Sequence, residues 1–547
     1  MTTTDKITGS TYAKMIAGGA ANLRAHVQEV NDLNVFPIPD GDTGENMLLT
    51  ILGGVPNGDA SPENLGEAAE RVSEGMLLSA RGNSGVILSQ FFDGIARGFG
   101  GLYEADAKHF GIAFRYGVDH AYKSVMTPTE GTILTVLREA TEVACKSGTE
   151  SVSEFLTAFL REARASLART PELLDVLKKA GVVDSGGAGL CYIVDGMSRA
   201  LSGEKMETDI PVSQSTQEID YDAFDEDSVL KFGYCTELLL RLQNAKTNID
   251  TFETDVITDY LSSIGDSIVA VQNGSIVKIH VHTMTPDMVL SFCQQYGEFL
   301  KIKIENMSLQ HNSIPASKKK NEAPTERKAF GVVAVATGVG LVNTFIERGA
   351  DVVVSGGQSM NPSAEDFIEA FDKVGADTIF VLPNNSNIVL TAKQAAELYR
   401  SSDVRVIESK TIGDGYAALS MLDTDSGDAD RIAEELTEAM QGVVTAEVSH
   451  CVRDANMDGT ELHAGDYIGF VGKTLLASNE SRLAAVCETL DKLDFSQYDF
   501  CILIRGKDTN EAETERIEAY VSARYKNKEI YIIDGAQEVY DYILILQ

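Results

Sequence analysis

The chain contains no CxxC pair, and its seven cysteines are odd in number and widely scattered. A disulfide framework is therefore not expected, and a reduced, cytoplasmic setting is. Positive charge is also short. The 46 Lys and Arg stand against 82 Asp and Glu, giving a formal net charge of -36. Nucleic acid and anionic membrane surfaces both select for basic excess, so neither is an expected partner. No apolar run approaches the length needed to span a bilayer, and Met1 to Ala17 lacks the apolar core of a signal peptide, so a soluble protein with no transmembrane segment is expected. Neither a GxxxxGK[ST] phosphate loop nor a short internal repeat occurs. What is present is 547 residues, 44% of them hydrophobic, enough for roughly three or four packed domains.

Three regions and two connectors follow along the chain. Apolar spacing from about residue 10 to 205 is mostly helical, as in "SEFLTAFLREARASLA", and strand-like alternation is scarce. Residues 206 to 225 are acidic and aperiodic and read as a linker. A mixed segment, 226 to 312, carries strand signals in "FGYCTELLLRL", "DSIVAVQNG" and "SIVKIHVHT". The stretch "SIPASKKKNEAPTERK" has the composition of an exposed connector. From 329 to 547, short apolar runs such as "AFGVVAVAT", "ADVVVSGG", "DTIFVLP" and "VRVIES" alternate with helical stretches such as "SAEDFIEAFDKVG". That βα alternation predicts an α/β domain with parallel strands.

Within the first region, "NVFPIPDGDTGENM" sets Asp40 and Asp42 around one glycine, just ahead of an apolar run. Two readings fit the loop taken alone. Asp-Gly marks turns, and Asp, Thr or Asn before an apolar run caps helices. Alternatively, a tight loop aims two carboxylates at one point, where they repel unless a hard cation such as Mg²⁺ lies between them. Asn34 and Asn46 add oxygens that can turn toward such an ion. Three further stretches, "SARGNSGVILSQ", "EGTILTVL" and "VVDSGGAGLCYIV", also put glycine or small polar residues directly before an apolar helix. Singly, each is an ordinary helix start. Jointly they describe a nucleotide site, because N–H groups at a helix N-terminus bind phosphate when no side chain blocks approach.

These four motifs, in this order within one helical region, resemble the ATP-binding subunit of bacterial dihydroxyacetone kinases, and the whole chain resembles the ATP-binding subunit of bacterial fatty acid kinase. The resemblance implies a multidomain protein. Residues 1–205 would form an all-α antiparallel helical barrel that binds ATP and Mg²⁺, 226–312 an α+β middle domain with an HVH motif, and 329–547 an α/β domain that docks a partner. Asp40 and Asp42 match the family's metal ligands. The dihydroxyacetone kinases carry another ligand carboxylate shortly upstream, where this chain offers Asn34 at a changed spacing. Thr43 and Asn46 match polar residues around the phosphates. Gly82, Asn83, Ser84 and Gly85 match the phosphate-contacting helix start, Thr132 lies near the nucleotide, and Asp184 with Gly186 matches the loop closing the nucleotide pocket. The implied reaction is transfer of phosphate from ATP to a fatty acid brought by a separate fatty-acid-binding protein, giving acyl phosphate and ADP. A homodimer is implied as well. A fatty acid is already ionised at neutral pH, so no general base is assigned. Two other readings stay open: a kinase of a small hydroxyketone or polyol built on the same helical domain, and a non-catalytic regulator of the same fold.

In the middle region, strand periodicity places His280 and His282 on one face, with Cys235 as a candidate third ligand. Hydrogen-bonded surface histidines and a core cysteine would give the same pattern. The resemblance implies a zinc ion there. The GxG in "ATGVGLVNTF" lacks the third glycine and the context of a dinucleotide fingerprint and is read as a plain βα turn.

Overall fold

The structure is a computed structural model in which residues 6–34, 42–56, 62–204, 234–306 and 327–547 are described, with the exception of residues 250, 251, 253, 274, 359, 425, 426, 458 and 527. The chain forms two compact units, Met1–Ile210 together with Pro324–Gln547, and Pro211–Ala323.

The N-terminal part of the first unit is helical, as its periodicity predicts. Its helices are α1 (Gly9–Ala25), α2 (Val27–Asn31), α3 (Thr43–Gly53), α4 (Leu65–Ser79), α5 (Gly82–Phe99), α6 (Ala107–Lys123), α7 (Ile133–Lys146), α8 (Val152–Leu173), α9 (Asp175–Ala180) and α10 (Ser185–Leu201). The two-residue strands β1 (Ile7–Thr8) and β2 (Glu104–Ala105) pair with each other. Side-chain caps fix several starts: Asn64 accepts from the Glu67 N–H, Asp106 from His109, Ser151 from Glu154 and Asp184 from Gly187. Phe91, Phe99, Phe110, Phe114, Phe155 and Phe159 are fully buried, with neighbouring ring centroids 5.1 to 6.2 Å apart. The first helix packs on the last. A Cβ on Gly196 would lie 2.3 Å from the Gly18 carbonyl oxygen, so α1 and α10 approach this closely only because both positions are glycine.

The second unit holds an antiparallel sheet in the order β4 (Gly265–Asn273), β5 (Ile276–Thr283), β3 (Tyr234–Leu242), β6 (Gly297–Asn306), with α11 (Asp255–Leu261) and α12 (Pro286–Cys293). Leu238, Leu240, Val277, Ile279 and Val281 alternate along the strands into a core shared with Ile257 and Val289.

The C-terminal part of the first unit contains two sheets. The first, in the order β10 (Asp403–Val406), β9 (Ala376–Leu382), β7 (Lys328–Ala336), β8 (Val352–Ser355), is parallel throughout. Its crossover helices are α13 (Val339–Glu347), α14 (Ala364–Val374) and α15 (Val389–Leu398). The GxG is a βα turn, with Gly338 at φ +90 ending the link from β7 to α13. A capping box between Ser363 and Asp366 starts α14, and Gly375 in the left-handed region ends it. The second sheet follows α16 (Ile412–Ser420) and α17 (Ala429–Ala439). Its strands are β11 (Val444–His450), β14 (Tyr467–Val471), β15 (Thr474–Asn479), β16 (Phe500–Arg505), β17 (Glu529–Asp534) and β18 (Tyr542–Leu546), in the order β15-β14-β11-β18-β16-β17. A small hairpin, β12 (Ala455–Met457) and β13 (Thr460–Leu462), lies between, and α18 (Arg482–Lys492) and α19 (Glu511–Arg524) pack on the sheet.

Here the expectation of parallel strands is corrected. Only β16 and β17 pair in parallel, and the other neighbours run antiparallel. For one pair the cause is local: β14 and β15 are joined by two residues, Gly472 (φ +56) and Lys473, a hairpin link too short for any crossover.

The α/β part rests directly on the helical part. Gln394 of α15, 4% exposed, donates to the Leu77 carbonyl (2.6 Å) and accepts from Gln90 (3.1 Å) and Ser89 (3.3 Å). Arg453 donates to the Asp32 carbonyl at 2.7 Å. Among the described residues no helix is long and apolar enough to cross a membrane.

Candidate nucleotide and metal site

The four motifs singled out in the helical region become the N-termini of α3, α5, α7 and α10. Asp42 stands at the α3 N-cap, and its side chain makes no capping hydrogen bond. Asn46, one turn on, is buried, and beneath it the buried Thr50 hydroxyl donates to the Asn46 carbonyl (2.7 Å) and accepts the Arg81 N–H (3.3 Å). That pair of bonds ties the start of α5 to the side of α3. Gly82 has φ +58, and a Cβ there would lie 2.9 Å from the Asn46 amide nitrogen, so the Asn46 carboxamide faces a helix start that has no side chain.

The starts of α7 and α10 meet in the same way. Asp184 accepts from the Gly187 N–H at 2.7 Å and also from the Ile133 backbone, so a single carboxylate caps one helix and touches the first residue of the other. Burial raises its pKa to about 6, against the pull of those two N–H groups. Gly186 packs close to Ile133, while the Thr132 hydroxyl turns back to the Thr129 carbonyl at 2.7 Å. A hydroxyl chain links the two pairs of helices: Ser185 donates to Thr43 (3.3 Å), and Thr43 donates to the Asn34 carboxamide (2.9 Å).

Asn34, Asp42, Thr43 and Asp184 all line one cavity of about 620 Å³, whose opposite wall is the α/β domain. Asn46 and Gly82 border Asp42 through Asn361, which donates from its amide to the Asp42 carboxylate and whose Cγ would lie 3.7 Å from a Cβ on Gly82. Asn83 reaches the same wall by donating to Asn387 at 3.1 Å. Ser84 and Gly85 complete the first turn of α5, Gly85 lying against Thr50. Asp40 lies outside the described residues.

The far wall was not anticipated from the sequence. It includes Gln358, Asn387, Lys410, Thr411 and Glu447. Burial and the nearby Asp414 charge push the Glu447 carboxyl up to about 8, so it faces the cavity as a neutral acid at pH 7. The Asn83 and Asn361 side-chain oxygens are both buried without a hydrogen-bond partner among the described residues. A helix start presenting N–H groups, a carboxylate and buried amide oxygens form a donor set that suits a phosphate held with a hard cation.

In the second unit, strand register sets Cys235 opposite His282 and Glu237 opposite His280. The side chains of Cys235, His280 and His282 lie outside the described part of the structure. Among the described residues no group of three His, Cys, Asp or Glu is placed to hold a metal ion.

Three family profiles match the chain: the DAK2 domain over residues 37–199, the middle domain of the FakA-like fatty acid kinase family over 231–314, and the C-terminal domain of the same FakA-like family over 331–547. Protein YloV of Bacillus subtilis is 40% identical over 551 residues, 98% of each chain. An uncharacterized protein of Staphylococcus saprophyticus is 37% identical over 557 residues, 99% of this chain and 100% of that one. Among solved structures, DegV, a fatty acid binding protein from Bacillus subtilis, is similar at 12% identity and TM-score 0.30, covering 40% of this chain and 99% of that one. The dihydroxyacetone kinase from C. freundii in complex with AMP-PNP and Mg²⁺ is similar at 19% identity and TM-score 0.28, covering 35% of this chain and 33% of that one. Superpositions this weak define no common fold, whereas the sequence relatives are aligned nearly end to end. On that footing the chain belongs to the FakA-like fatty acid kinase family, with a DAK2-type domain toward its N-terminus.

Proposed function

We propose that this chain is the ATP-binding kinase subunit that phosphorylates a fatty acid presented by a separate fatty-acid-binding protein, giving acyl phosphate and ADP. The observation that carries the reading is the meeting of the α3 and α5 starts, where Asp42, Asn46 and Gly82 gather around one point beside a cavity. Asp40 and Asp42, with Asn34, would hold Mg²⁺. Thr43, Asn46, Gly82, Asn83, Ser84 and Gly85 would hold phosphate oxygens, and Thr132, Asp184 and Gly186 would border the rest of the nucleotide. When bound, Mg²⁺ offsets charge on the β- and γ-phosphates. The chain's own part is positioning. Backbone N–H groups at the α5 start, where Gly82 itself carries no side chain, would hold phosphate oxygens, and Thr50 holds that start in register with Asn46.

The closed antiparallel barrel belongs to the same proposal and is supported by the packing of α1 on α10. So does the division into 1–205, 226–312 and 329–547, supported by the spans of the three matched families. The last domain would dock the partner, and its contact with the nucleotide end supports docking there. A zinc ion at Cys235, His280 and His282 rests on their register. A homodimer in the cytoplasm completes the reading.

The test uses the purified full chain. It should bind ATP with Mg²⁺, leave free fatty acid unphosphorylated, and form acyl phosphate once the fatty-acid-bearing protein that copurifies with it is added. Efficient acyl phosphate formation by the chain alone would overturn the proposal, and turnover of a small hydroxyketone without any carrier would point to the polyol kinase instead.

A further inference from the structure

The segment before α14 reaches across to the helical domain at the start of α5. Arg81, the residue just before α5, donates to the Asn361 carbonyl at 2.8 Å and lies 3.5 Å from Asp366, and Arg81 and Ser363 form an isolated antiparallel bridge. The Asn361 backbone is thus held on both sides, by Arg81 and by the Ser363–Asp366 capping box. Its side chain is 2% exposed, its amide nitrogen donates to Asp42, and its oxygen has no partner among the described residues. The carboxamide also lies against Gly82 beside the Asn46 amide.

An amide oxygen shut away from water without a donor is costly, and here it sits one carboxamide width from a carboxylate. Half a turn of the Asn361 side chain exchanges its two ends and brings the oxygen to Asp42. Two oxygens side by side repel unless a cation or a donor stands between them. Asn361 can therefore serve Asp42 with its nitrogen and, turned over, serve a cation held at Asp42 with its oxygen.

We propose that the C-terminal α/β domain completes the metal and phosphate end of the helical domain through Asn361, which acts there as a positioning residue for the divalent cation of a metal–nucleotide complex. This rests on the kinase reading above and adds to it that the nucleotide site is shared between two domains. Asn387 holds Asn83 of the helix start from the same side, so the α/β domain grips both the cation end and the phosphate end.

The experiment measures ADP binding to the full chain by calorimetry, with and without magnesium chloride, for the natural sequence, Asn361→Ala and Gln394→Ala. Gln394 bonds the same two domains together but does so at Ser89, Gln90 and Leu77, along α5 and at the end of α4. Asn361→Ala should weaken ADP binding in magnesium about tenfold while leaving magnesium-free binding unchanged, the size expected for one lost hydrogen-bonding group on a charged site. Gln394→Ala should leave both unchanged. Equal losses in the two variants would reduce Asn361 to generic domain docking, and no loss in Asn361→Ala, or a gain, would show that it is inert or occludes the site. Either result overturns the inference while the kinase reading stands. If the natural chain binds no ADP in magnesium, both fail. Asn361→Asp guards against misfolding of the alanine variant. A second carboxylate facing Asp42 should lower the melting temperature without metal and raise the magnesium-dependent gain in melting temperature above that of the natural chain. An unchanged gain would also sink the proposal.

Discussion

Gly85→Ala tests whether the nucleotide end depends on the close contact of α3 and α5. A methyl group at Gly85 would stand 2.4 Å from the Thr50 hydroxyl oxygen, about 1 Å inside ordinary contact, while its next neighbours, the Asn46 carbonyl and the Thr50 Cβ, lie at an acceptable 3.5 Å. The hydroxyl must therefore turn aside. Doing so gives up its bond to the Asn46 carbonyl, worth about 1 kcal/mol, and strands the Arg81 N–H at about 2 kcal/mol. Alanine recovers at most about 1 kcal/mol of helix propensity over glycine, leaving a net loss of about 2 kcal/mol. The assay is urea unfolding of four proteins: natural, Gly85→Ala, Thr50→Ala, and the double variant. Thr50→Ala removes the colliding oxygen, so in that background Gly85→Ala should keep only its helix-propensity gain of up to about 1 kcal/mol, a coupling of about 3 kcal/mol. Equal costs of Gly85→Ala in the two backgrounds would refute the reasoning. Nucleotide binding should follow the same pattern, since Arg81 and Gly82 move with the displaced hydroxyl.

Asp42→Asn should abolish phosphoryl transfer and leave helicity by circular dichroism unchanged, because the Asp42 side chain makes no cap bond at α3; near-normal turnover would remove it from the metal site. Glu447 has its carboxyl raised from 4.5 to about 8 in the folded chain, so the fold binds the extra proton between those values, and stability must fall as pH rises through that window. Urea unfolding of Glu447→Gln should show the variant losing less stability than the natural chain from pH 5.5 to 8.5, by up to about 1.4 kcal/mol per pH unit; parallel profiles would contradict the burial argument. Elemental analysis of chain purified without chelator should find about one zinc per chain, emptied by joint His280→Ala and His282→Ala substitution; a metal-free natural chain would remove the zinc site.

The helix starts were legible because the pattern of a small or polar residue ahead of an apolar run is local, although only Asp184 among the four makes a side-chain cap. Asp, Ser, Thr and Gly ahead of an apolar run meet needs of the backbone within three or four residues, and Asp184 meets them as the spacing predicts. The parallel strands β7 to β10 were legible because each apolar run is followed by a helix, two of them, α14 and α16, opened by capping boxes at Ser363 and Thr411. The direction of the second sheet was not, since a buried run such as "YILIL" reads alike in parallel and antiparallel sheets, and only the Gly472–Lys473 link carried the signal. Asn361 was invisible. It lies 319 residues from Asp42 in sequence, and no local pattern marks an asparagine whose partner is that distant.

That distance also bears on why the shared end is built from amides. Asn83 meets Asn387, Gln90 meets Gln394, and Asn361 meets Asp42, in a chain with a formal net charge of -36. A lysine in place of Asn361 would compete with a cation for Asp42, and an aspartate would repel it whenever the cation left. A carboxamide accepts either state by turning over, at the modest net gain of a neutral hydrogen bond. Bonds of that size hold the two parts together without burying charge, whereas breaking any one of a set of buried ion pairs would leave an uncompensated charge. Of the arginines that cross the junction, Arg81 fits the same logic. Arg81 spends its side chain on the Asn361 carbonyl and Asp366, both of the α/β domain, and so holds that domain in place without placing its charge between Asp42 and Asn361.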